Sequence, residues 1–356
     1  MTKLDKITII QHNVQHWNNN KHALYNIYRH IDPHIILLNE LSLIDNDKPK
    51  LFNYNCFYSN KTNTHYNGTA IAIRKDLQTR LLDDFDTDML GTTIQTRQGP
   101  ITIATLYSPP RDNFINPIDF NKLLKRPEPV YFIGDLNARH ATLGHQSQNN
   151  KGLNIKILID QHKCKHEGPL FPTFIRHNSS TTPDIALTNM KTFHNFHMTP
   201  GPLTPSDHIP IIATITCNPI QIPIRPRKSI HRANWAQYKT ELSNITIPTD
   251  PNPTLEDIDE QLEHWTQAIH TASDNNIPTI KYRTVPGIKP NNITRRLQAQ
   301  HDQTLHEIGT HGPTLERYRL MNTLRRDIRD EYKRLHNDVW NDIIHDLDTE
   351  DDPTKF

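Results

Sequence analysis

The sequence predicts an α/β fold for residues from about 5 to 217, followed by a helical region. Short apolar runs of β type alternate there with a few helical stretches, and Gly, Pro, Asn and Asp separate them. A further observation is positional: polar side chains able to do chemistry stand at the edges of these runs.

Taken in order, Ile7-Thr8-Ile9-Ile10 leads to Asn13, and Ile35-Ile36-Leu37-Leu38 leads to Asn39-Glu40, with Lys21–Ile31 reading as a helix between them. The run Ile101–Leu106 leads to Tyr107-Ser108-Pro109-Pro110, and Val130-Tyr131-Phe132-Ile133 leads to Gly134-Asp135-Leu136-Asn137. Gly152–Gln161 reads as a second helix. The order then reverses, because Asp184 precedes Ile185-Ala186-Leu187 and Ser206-Asp207-His208 precedes Ile209-Pro210-Ile211-Ile212-Ala213. Strands leaving a rim and strands entering it antiparallel would place all these groups on one edge of a sheet.

After Thr216 the character changes. Pro219, Pro223 and Pro226, with Arg225, Arg227 and Lys228, predict an extended linker. The expected organisation is a domain over 1–218, a linker over 219–231 and a helical region over 232–356. Asn234 is placed to cap a helix through Leu242, and Thr254-Leu255-Glu256-Asp257 to cap one leading toward Ala272. The last helix is expected from about Pro313 to Leu347. Its Met321, Leu324, Ile328, Leu335, Val339 and Ile343 recur at three-four spacing, a stripe that needs a partner surface. Neighbouring helices are the simpler partner and an oligomerising coiled coil the other; the alternative to a separate tail is that Met321, Leu324, Ile328 and Leu335 pack onto the sheets of the first domain and complete its core. Each domain is expected to bury its apolar side chains mainly within itself.

Composition narrows the function classes. Mean hydropathy is −0.70, and no apolar run approaches the roughly 20 residues of a spanning helix, so no membrane partner is expected. Met1-Thr2-Lys3-Leu4-Asp5-Lys6 has no signal-peptide core, which predicts an intracellular protein. Cys56, Cys164 and Cys217 form no C-x-x-C pair, against a disulfide framework or a zinc knuckle. With a formal net charge of +1, nucleic-acid contact would need a local basic surface. Arg225, Arg227, Lys228, Arg295, Arg296, Arg325 and Arg326 are the candidates, although most read as solvated helix faces.

Each motif has a plain reading beside a chemical one. Asp135 and Asn137 project the same way and can converge on one reacting centre, or they form an Asx-turn ending a strand. Asp207-His208 sets a carboxylate beside an imidazole able to move a proton, or lies in a solvated loop. Glu40 is a metal-holding carboxylate or a surface strand end; a lone glutamate suits a partly hydrated Mg²⁺. Tyr107, pinned by Pro109-Pro110, is a phosphate contact or an interior aromatic.

Together and in this order, Asn13, Glu40, Tyr107, Asp135-x-Asn137, Asp184 and Asp207-His208 resemble the endonuclease/exonuclease/phosphatase superfamily over about residues 5–217. Tyr107-Ser108-Pro109-Pro110, Gly134-Asp135-Leu136-Asn137-Ala138-Arg139-His140, Thr182-Pro183-Asp184-Ile185-Ala186-Leu187-Thr188 and Ser206-Asp207-His208-Ile209-Pro210 look most like the apurinic/apyrimidinic-type endonuclease domain of Jockey-like non-LTR retrotransposons. The tail is similar too, with Ala233-Asn234-Trp235 opening a helix and Ile277-Pro278 after a later one. Two departures stand out: Asn13-Val14-Gln15 where the family often has Asn-x-Asn or Asn-x-Asp, and Leu143-Gly144 where Trp-Gly is common.

The resemblance implies a four-layer α/β sandwich, two mixed sheets flanked by helices. It implies a Mg²⁺-dependent DNA endonuclease, with Mn²⁺ as the alternative ion, DNA as substrate and a nuclear location. Glu40 would hold the metal with Asn13 nearby, and Asp135, supported by Asn137, would activate water. Tyr107 and His208 would contact the scissile phosphate, with Asp184 and Asp207 orienting His208. The alternatives are a phosphatase or phospholipase of the same superfamily and a decayed nucleic-acid-binding remnant. No Tyr-x-Asp-Asp polymerase motif precedes Phe356, and Asp351-Asp352-Pro353 lacks its strand context. The reverse transcriptase that follows this domain in its relatives is therefore expected to be missing here.

Overall fold

Alternation of side chains along each strand decides which layer it joins. The computed structural model describes residues 5–42, 48–59, 68–191, 195–223, 228–244, 254–279 and 288–349, with side chains to 341. In chain order the strands are β1 (Lys6–Asn13), β2 (Ile35–Asn39), β3 (Tyr54–Ser59), β4 (Thr69–Arg74), β5 (Thr79–Leu82), β6 (Leu90–Ile94), β7 (Ile101–Thr105), β8 (Val130–Asp135), β9 (Cys164–Gly168), β10 (Phe174–Arg176), β11 (Ser179–Thr181), β12 (Asp184–Asn189), β13 (Phe196–Pro200) and β14 (Ile211–Thr216). The helices are α1 (Trp17–Ile31), α2 (Pro117–Leu124), α3 (Asn150–Asp160), α4 (Trp235–Ser243), α5 (Leu255–Asn276), α6 (Asn292–His311) and α7 (Leu315–Thr349).

Two six-stranded sheets form, in the orders β13-β14-β1-β2-β4-β3 and β5-β6-β7-β8-β12-β9. Both are mixed: β1–β2 and β7–β8 run parallel, and the other pairs are antiparallel. Odd-numbered Ile7, Ile9, Ile35, Leu37, Ile71 and Ile73 face Ile101, Ile103, Tyr131 and Ile133 in one core between the sheets. Even-numbered Ile10, Ile36, Leu38, Ala70 and Ala72 turn to Leu24, Ile27 and Tyr28 of α1. On the far side, Ala104, Phe132 and Leu187 pack on Phe120, Leu123, Ile155 and Leu158 of α2 and α3. This is the four-layer α/β sandwich that the resemblance implied.

The register places the polar strand ends together. Asn13 pairs with Asn39 across β1–β2, and Asp135 with Asp184 across β8–β12. β14 enters beside β1, with Ile211 opposite Gln11, so the residues just before it reach the same rim. Gly134 permits the closest approach there. A Cβ on it would lie 2.5 Å from the Leu106 carbonyl oxygen, so a larger residue would push β8 from the exit of β7.

The chain divides into two compact units, one of residues 1–222 with 287–356 and one of residues 223–286. This differs from the expected boundaries of 1–218, 219–231 and 232–356. Pro219 and Gln221 of the expected linker bridge to Thr96 and Leu77 at the sheet edge, while Arg225, Pro226 and Arg227 lie outside the described residues, as does Asp351-Asp352-Pro353. In the second unit α4 and α5 pair, with Asn234 accepting from the Gln237 amide and a Thr254–Asp257 capping box, as their sequences predicted. α6, which is mostly polar and was not predicted, belongs with α7 to the first unit.

The reason for that division is the α7 stripe. Leu324, Ile328 and Tyr332 of α7 join Leu297 of α6 in the cluster that covers α1 and the outer face of the first sheet. Their partner surface is thus both a neighbouring helix and the sheet domain itself. Because Ile328 is 3% exposed, Ile328→Ala should destabilise the first unit by about 2–5 kcal/mol in urea denaturation. Leu262→Ala on α5, where the leucine is 63% exposed, should stay within about 0.5 kcal/mol. Equal effects would refute the packing described.

His34 ties β2 to β1, its Nδ1 accepting from the Thr8 amide at 2.9 Å. Burial, and then the Arg74 charge, hold its pKa down from 6.5 to about 4. The neutral ring therefore contributes stability that is complete above pH 6.5 and is lost as pH falls toward 4. The loss should reach at most about 3 kcal/mol, because each tenfold change in proton affinity on folding is worth about 1.4 kcal/mol. Urea midpoints at a series of pH values should show it, and His34→Leu should flatten that part of the profile.

Candidate active site

Three polar residues in succession, Gln11, His12 and Asn13, end β1 in a buried position. Burial of such groups calls for partners: the Gln11 and Asn13 amide nitrogens find them at the rim and His12 meets Tyr28 of α1, while Gln11 Oε1 is left without one among the described residues. Asn13 Nδ2 donates to Glu40 Oε2 at 2.8 Å and to Asp135 Oδ2 at 2.9 Å, so one amide spans two carboxylates. Its Oδ1 accepts from the Gln15 amide at 3.1 Å. Tyr107 Oη donates to Glu40 Oε2 at 3.2 Å. Burial, followed by the Glu40 charge, pushes the phenol well above its ordinary pKa and keeps it a donor.

Asp135 is 1% exposed at the end of β8. Its Oδ1 accepts from the Asn137 backbone at 3.1 Å and side chain at 2.9 Å, and its own amide donates to Asn39 Oδ1 at 3.2 Å. The Asn137 amide also donates to the Ser108 carbonyl at 3.2 Å, joining the β7 and β8 exits. Glu40 and Asn137 both adopt left-handed backbone, φ 54° and 48°. That is ordinary for Asn in a turn and costly for Glu, whose carboxylate is thereby turned onto the rim.

His208 lies between two buried carboxylates. Its Nδ1 meets Asp184 Oδ2 at 2.9 Å, its Nε2 stands 3.9 Å from Asp135 Oδ2, and Phe174 packs on its ring. Burial alone would lower the His208 pKa, but the Asp184 charge and hydrogen bond, then the Asp135 and Asp207 charges, raise it to about 10. Burial would raise Asp184, which the His208 charge and hydrogen bond and Gln11 hold low. Burial and the Asp184 charge push Asp135 up. The set is therefore a charged Asp184–imidazolium pair beside a carboxyl of raised proton affinity.

All eight sequence candidates, Asn13, Glu40, Tyr107, Asp135, Asn137, Asp184, Asp207 and His208, thus belong to one connected rim, with two adjustments. Asp207 does not touch the imidazole; its Oδ2 accepts from Gln15 Nε2 at 3.2 Å, and it acts on His208 through charge alone. Asn13 presents its amide nitrogen to Glu40, so here it serves the carboxylates as a donor, and its oxygen accepts from the Gln15 backbone amide.

Three supporting residues were not foreseen. Gln11 Nε2 donates to Asp184 Oδ1 at 2.8 Å and to Asn39 Oδ1 at 3.0 Å, linking the two sheets. Lys151, 1% exposed on α3, donates to Ser108 O, Ser108 Oγ and Pro109 O at 2.8–3.1 Å, which fixes the loop carrying Tyr107. The signal for Gln11 and Asn39 was polarity inside otherwise buried strands; Lys151 gave none, since a helix lysine reads as solvated. Arg325, counted among candidate phosphate contacts, is buried and donates to the Asp207 carbonyl at 2.9 Å. Leu143, at the departure from Trp-Gly, is buried in the α2–α3 core.

The donor set fits a hard divalent ion. Glu40 Oε2 and Asp135 Oδ2 are both drawn to one amide nitrogen, so the spot between them favours positive charge, and both are oxygen ligands. Asp135, Asp184 and His208 also bring potential ligand atoms within 4.8 Å of one another. In that group the Asp184–His208 hydrogen bond already occupies one oxygen and one nitrogen.

A family model described as the Endonuclease/Exonuclease/phosphatase family matches residues 10–209. Over 249 residues the chain is 25% identical to a probable RNA-directed DNA polymerase from transposon X-element of Drosophila melanogaster, covering 67% of this chain and 27% of that one. Over 187 residues it is 27% identical to the RNA-directed DNA polymerase from mobile element jockey of the same organism, covering 50% and 20%. The chain thus spans only about a quarter of the length of these curated relatives. Among solved structures, the endonuclease domain of TRAS1, a telomere-specific non-LTR retrotransposon, superposes with a TM-score of 0.49 at 18% identity, covering 59% of this chain and 98% of that one. The resemblance read from the motifs is borne out.

Removing the Asp184 charge should release the imidazolium. In Asp184→Asn the His208 pKa should fall by about 2 or more, judged by what one close charge does to a neighbouring group. Imidazole NMR titration of both proteins measures it; an unchanged His208 would show that Asp184 does not hold its proton.

Proposed function

The chain belongs to the endonuclease/exonuclease/phosphatase family, and on that premise we propose that it is a divalent-metal-dependent endonuclease that nicks DNA by hydrolysing a phosphodiester. The observation that carries this reading is the single rim that links an imidazolium and a carboxyl of raised proton affinity, through the Asn13 amide, to Glu40 and the Tyr107 phenol. The retrotransposon-encoded relatives make DNA the substrate to test first.

Hydrolysis requires a proton to leave water as its oxygen attacks phosphorus, and the bond to the leaving oxygen to break. Asp135 is the proton acceptor in this reading. Its raised affinity brings it nearer the operating pH, where a general base works best. Asn137 and Asn39 hold its orientation. His208 donates from Nε2 toward the phosphate, where charge accumulates in the transition state, and Asp184 fixes the ring's orientation and holds its positive charge by accepting from Nδ1. Tyr107, a permanent donor, contacts a phosphate oxygen. Glu40, with Asn13 beside it, would hold Mg²⁺ or Mn²⁺, which when bound would draw charge from the phosphate oxygens.

Supercoiled plasmid should become open circles with Mg²⁺ and remain intact with EDTA. Glu40→Ala should abolish the response to the ion. His208→Ala should lower the single-turnover rate about 10²- to 10⁴-fold, while affinity for DNA, which comes from many phosphate contacts, changes much less. Nicking undiminished by EDTA and retained in Glu40→Ala would overturn the metal assignment. Release of inorganic phosphate from monoesters without nicking would favour the phosphatase alternative.

A further inference from the structure

The segment 201–210 that delivers Asp207 and His208 is mostly irregular. Its backbone groups therefore need partners from outside. From the sheet side, Ser206 Oγ donates to the Asn13 carbonyl at 2.7 Å, the Ile209 amide to the Thr173 carbonyl at 2.7 Å, and His12 Nε2 contacts the His208 carbonyl at 3.3 Å. Gln15 Oε1 also accepts from the Asp207 amide at 3.4 Å, and further partners come from α6 and α7. Arg325 donates to the Asp207 carbonyl at 2.9 Å, and Gln298 Oε1 accepts from the Leu203 amide at 2.8 Å. Ile209 packs with Ile308 of α6 and Met321 of α7.

Arg325 sits inside the apolar stripe of α7 and is 6% exposed. An apolar residue there would avoid the desolvation of a guanidinium, and such replacements are often neutral or stabilising. The arginine instead supplies a donor to the Asp207 carbonyl, which an apolar residue would leave without it. Its contact is with the backbone of the residue immediately before His208, and Asn322 Oδ1 steadies its other arm at 3.0 Å.

We propose that α6 and α7 are a positioning element of the active site, in which Arg325 through the Asp207 carbonyl and Gln298 through the Leu203 amide set the backbone that aims His208. The inference rests on the role given to His208 above. Arg325 touches no reacting atom in this reading; it acts through the segment it holds. Displacement of a reacting group by about 1 Å can cost about 10²-fold in rate, so a tie of this kind need not be strong to matter.

The test uses the full chain and three variants at the contact, Arg325→Met, Arg325→Lys and Gln298→Ala, with Leu123→Ala as a comparator that loosens the core under α2, a cluster to which no residue of the segment belongs. Hydrogen–deuterium exchange over residues 203–209 is measured together with single-turnover nicking and DNA affinity. Arg325→Met should speed exchange there and lower the nicking rate about 10- to 100-fold, the scale of a misplaced group, with affinity nearly unchanged. Arg325→Lys, able to reach the same carbonyl, should restore most of the rate, and Gln298→Ala should give a smaller loss with the same exchange signature. Leu123→Ala, measured well below its melting temperature, should leave both readouts near wild type. Wild-type exchange and rate in Arg325→Met, or equal losses in Leu123→Ala, would overturn the proposal. If Arg325→Met does not fold, Arg325→Lys and Gln298→Ala decide by the same readouts. If the wild-type chain does not nick, the function reading fails on its own, and exchange alone decides whether α6 and α7 hold the segment.

Discussion

The burial of Asp135, Asp184 and His208 against one another is the constraint on which the rest of this structure depends. Any one of them, ionised and alone at the junction of two sheets, would cost several kcal/mol. Together they reduce to a charge pair and a carboxyl with raised proton affinity. Their remaining lone pairs are met by Gln11, Asn13 and Asn137, while Asn39 accepts from the Asp135 backbone amide. Those amides must arrive from different strand ends, which explains why the register of β1 on β2 and of β8 on β12 matters as much as the identity of the side chains. A one-residue slip in either pair would turn the donors to the opposite face.

Much of this was legible in the sequence, because strand termini follow from alternation. Ile7–Ile10, Ile35–Leu38, Ile101–Leu106 and Val130–Ile133 each point to the polar residue that follows, and reversal of the order at Asp184 and Asp207 signals strands entering the same rim. The caps of α4 and α5 were equally local, resting on Asn234 and Thr254 within one turn. What local chemistry could not provide was pairing over long separations. The link from Gln11 to Asp184 crosses 173 positions, and that from Arg325 to Asp207 crosses 118. Polar residues in such positions look like solvated surface until the partner is known, which is why Lys151 went unseen and Arg325 stood only among candidate phosphate contacts on helix faces read mostly as solvated.

The same limit explains the division of the chain. The proline-rich stretch after Thr216 is a genuine change of composition, and a change of composition is a reasonable place to expect a boundary. The α7 stripe, however, carries no information about whose apolar face it will cover. Leu324, Ile328 and Tyr332 could have closed on α4 and α5, or on a second copy; in this fold they close on α1. Hydrophobic periodicity announces that a partner exists and is silent about its identity.

That arrangement has a consequence for the order in which the protein comes into being. Every strand of the sandwich has been synthesised once Thr216 emerges, yet the outer face of α1 waits for residues beyond 296 and the Asp207 carbonyl waits for Arg325. At the usual pace of translation, about 5–20 residues per second, roughly a hundred residues take on the order of 5–20 s. During that interval the nascent sandwich has an uncovered apolar flank and an incompletely braced His208 loop. A chain assembled in this order completes the support of its His208 loop only as α7 leaves the ribosome.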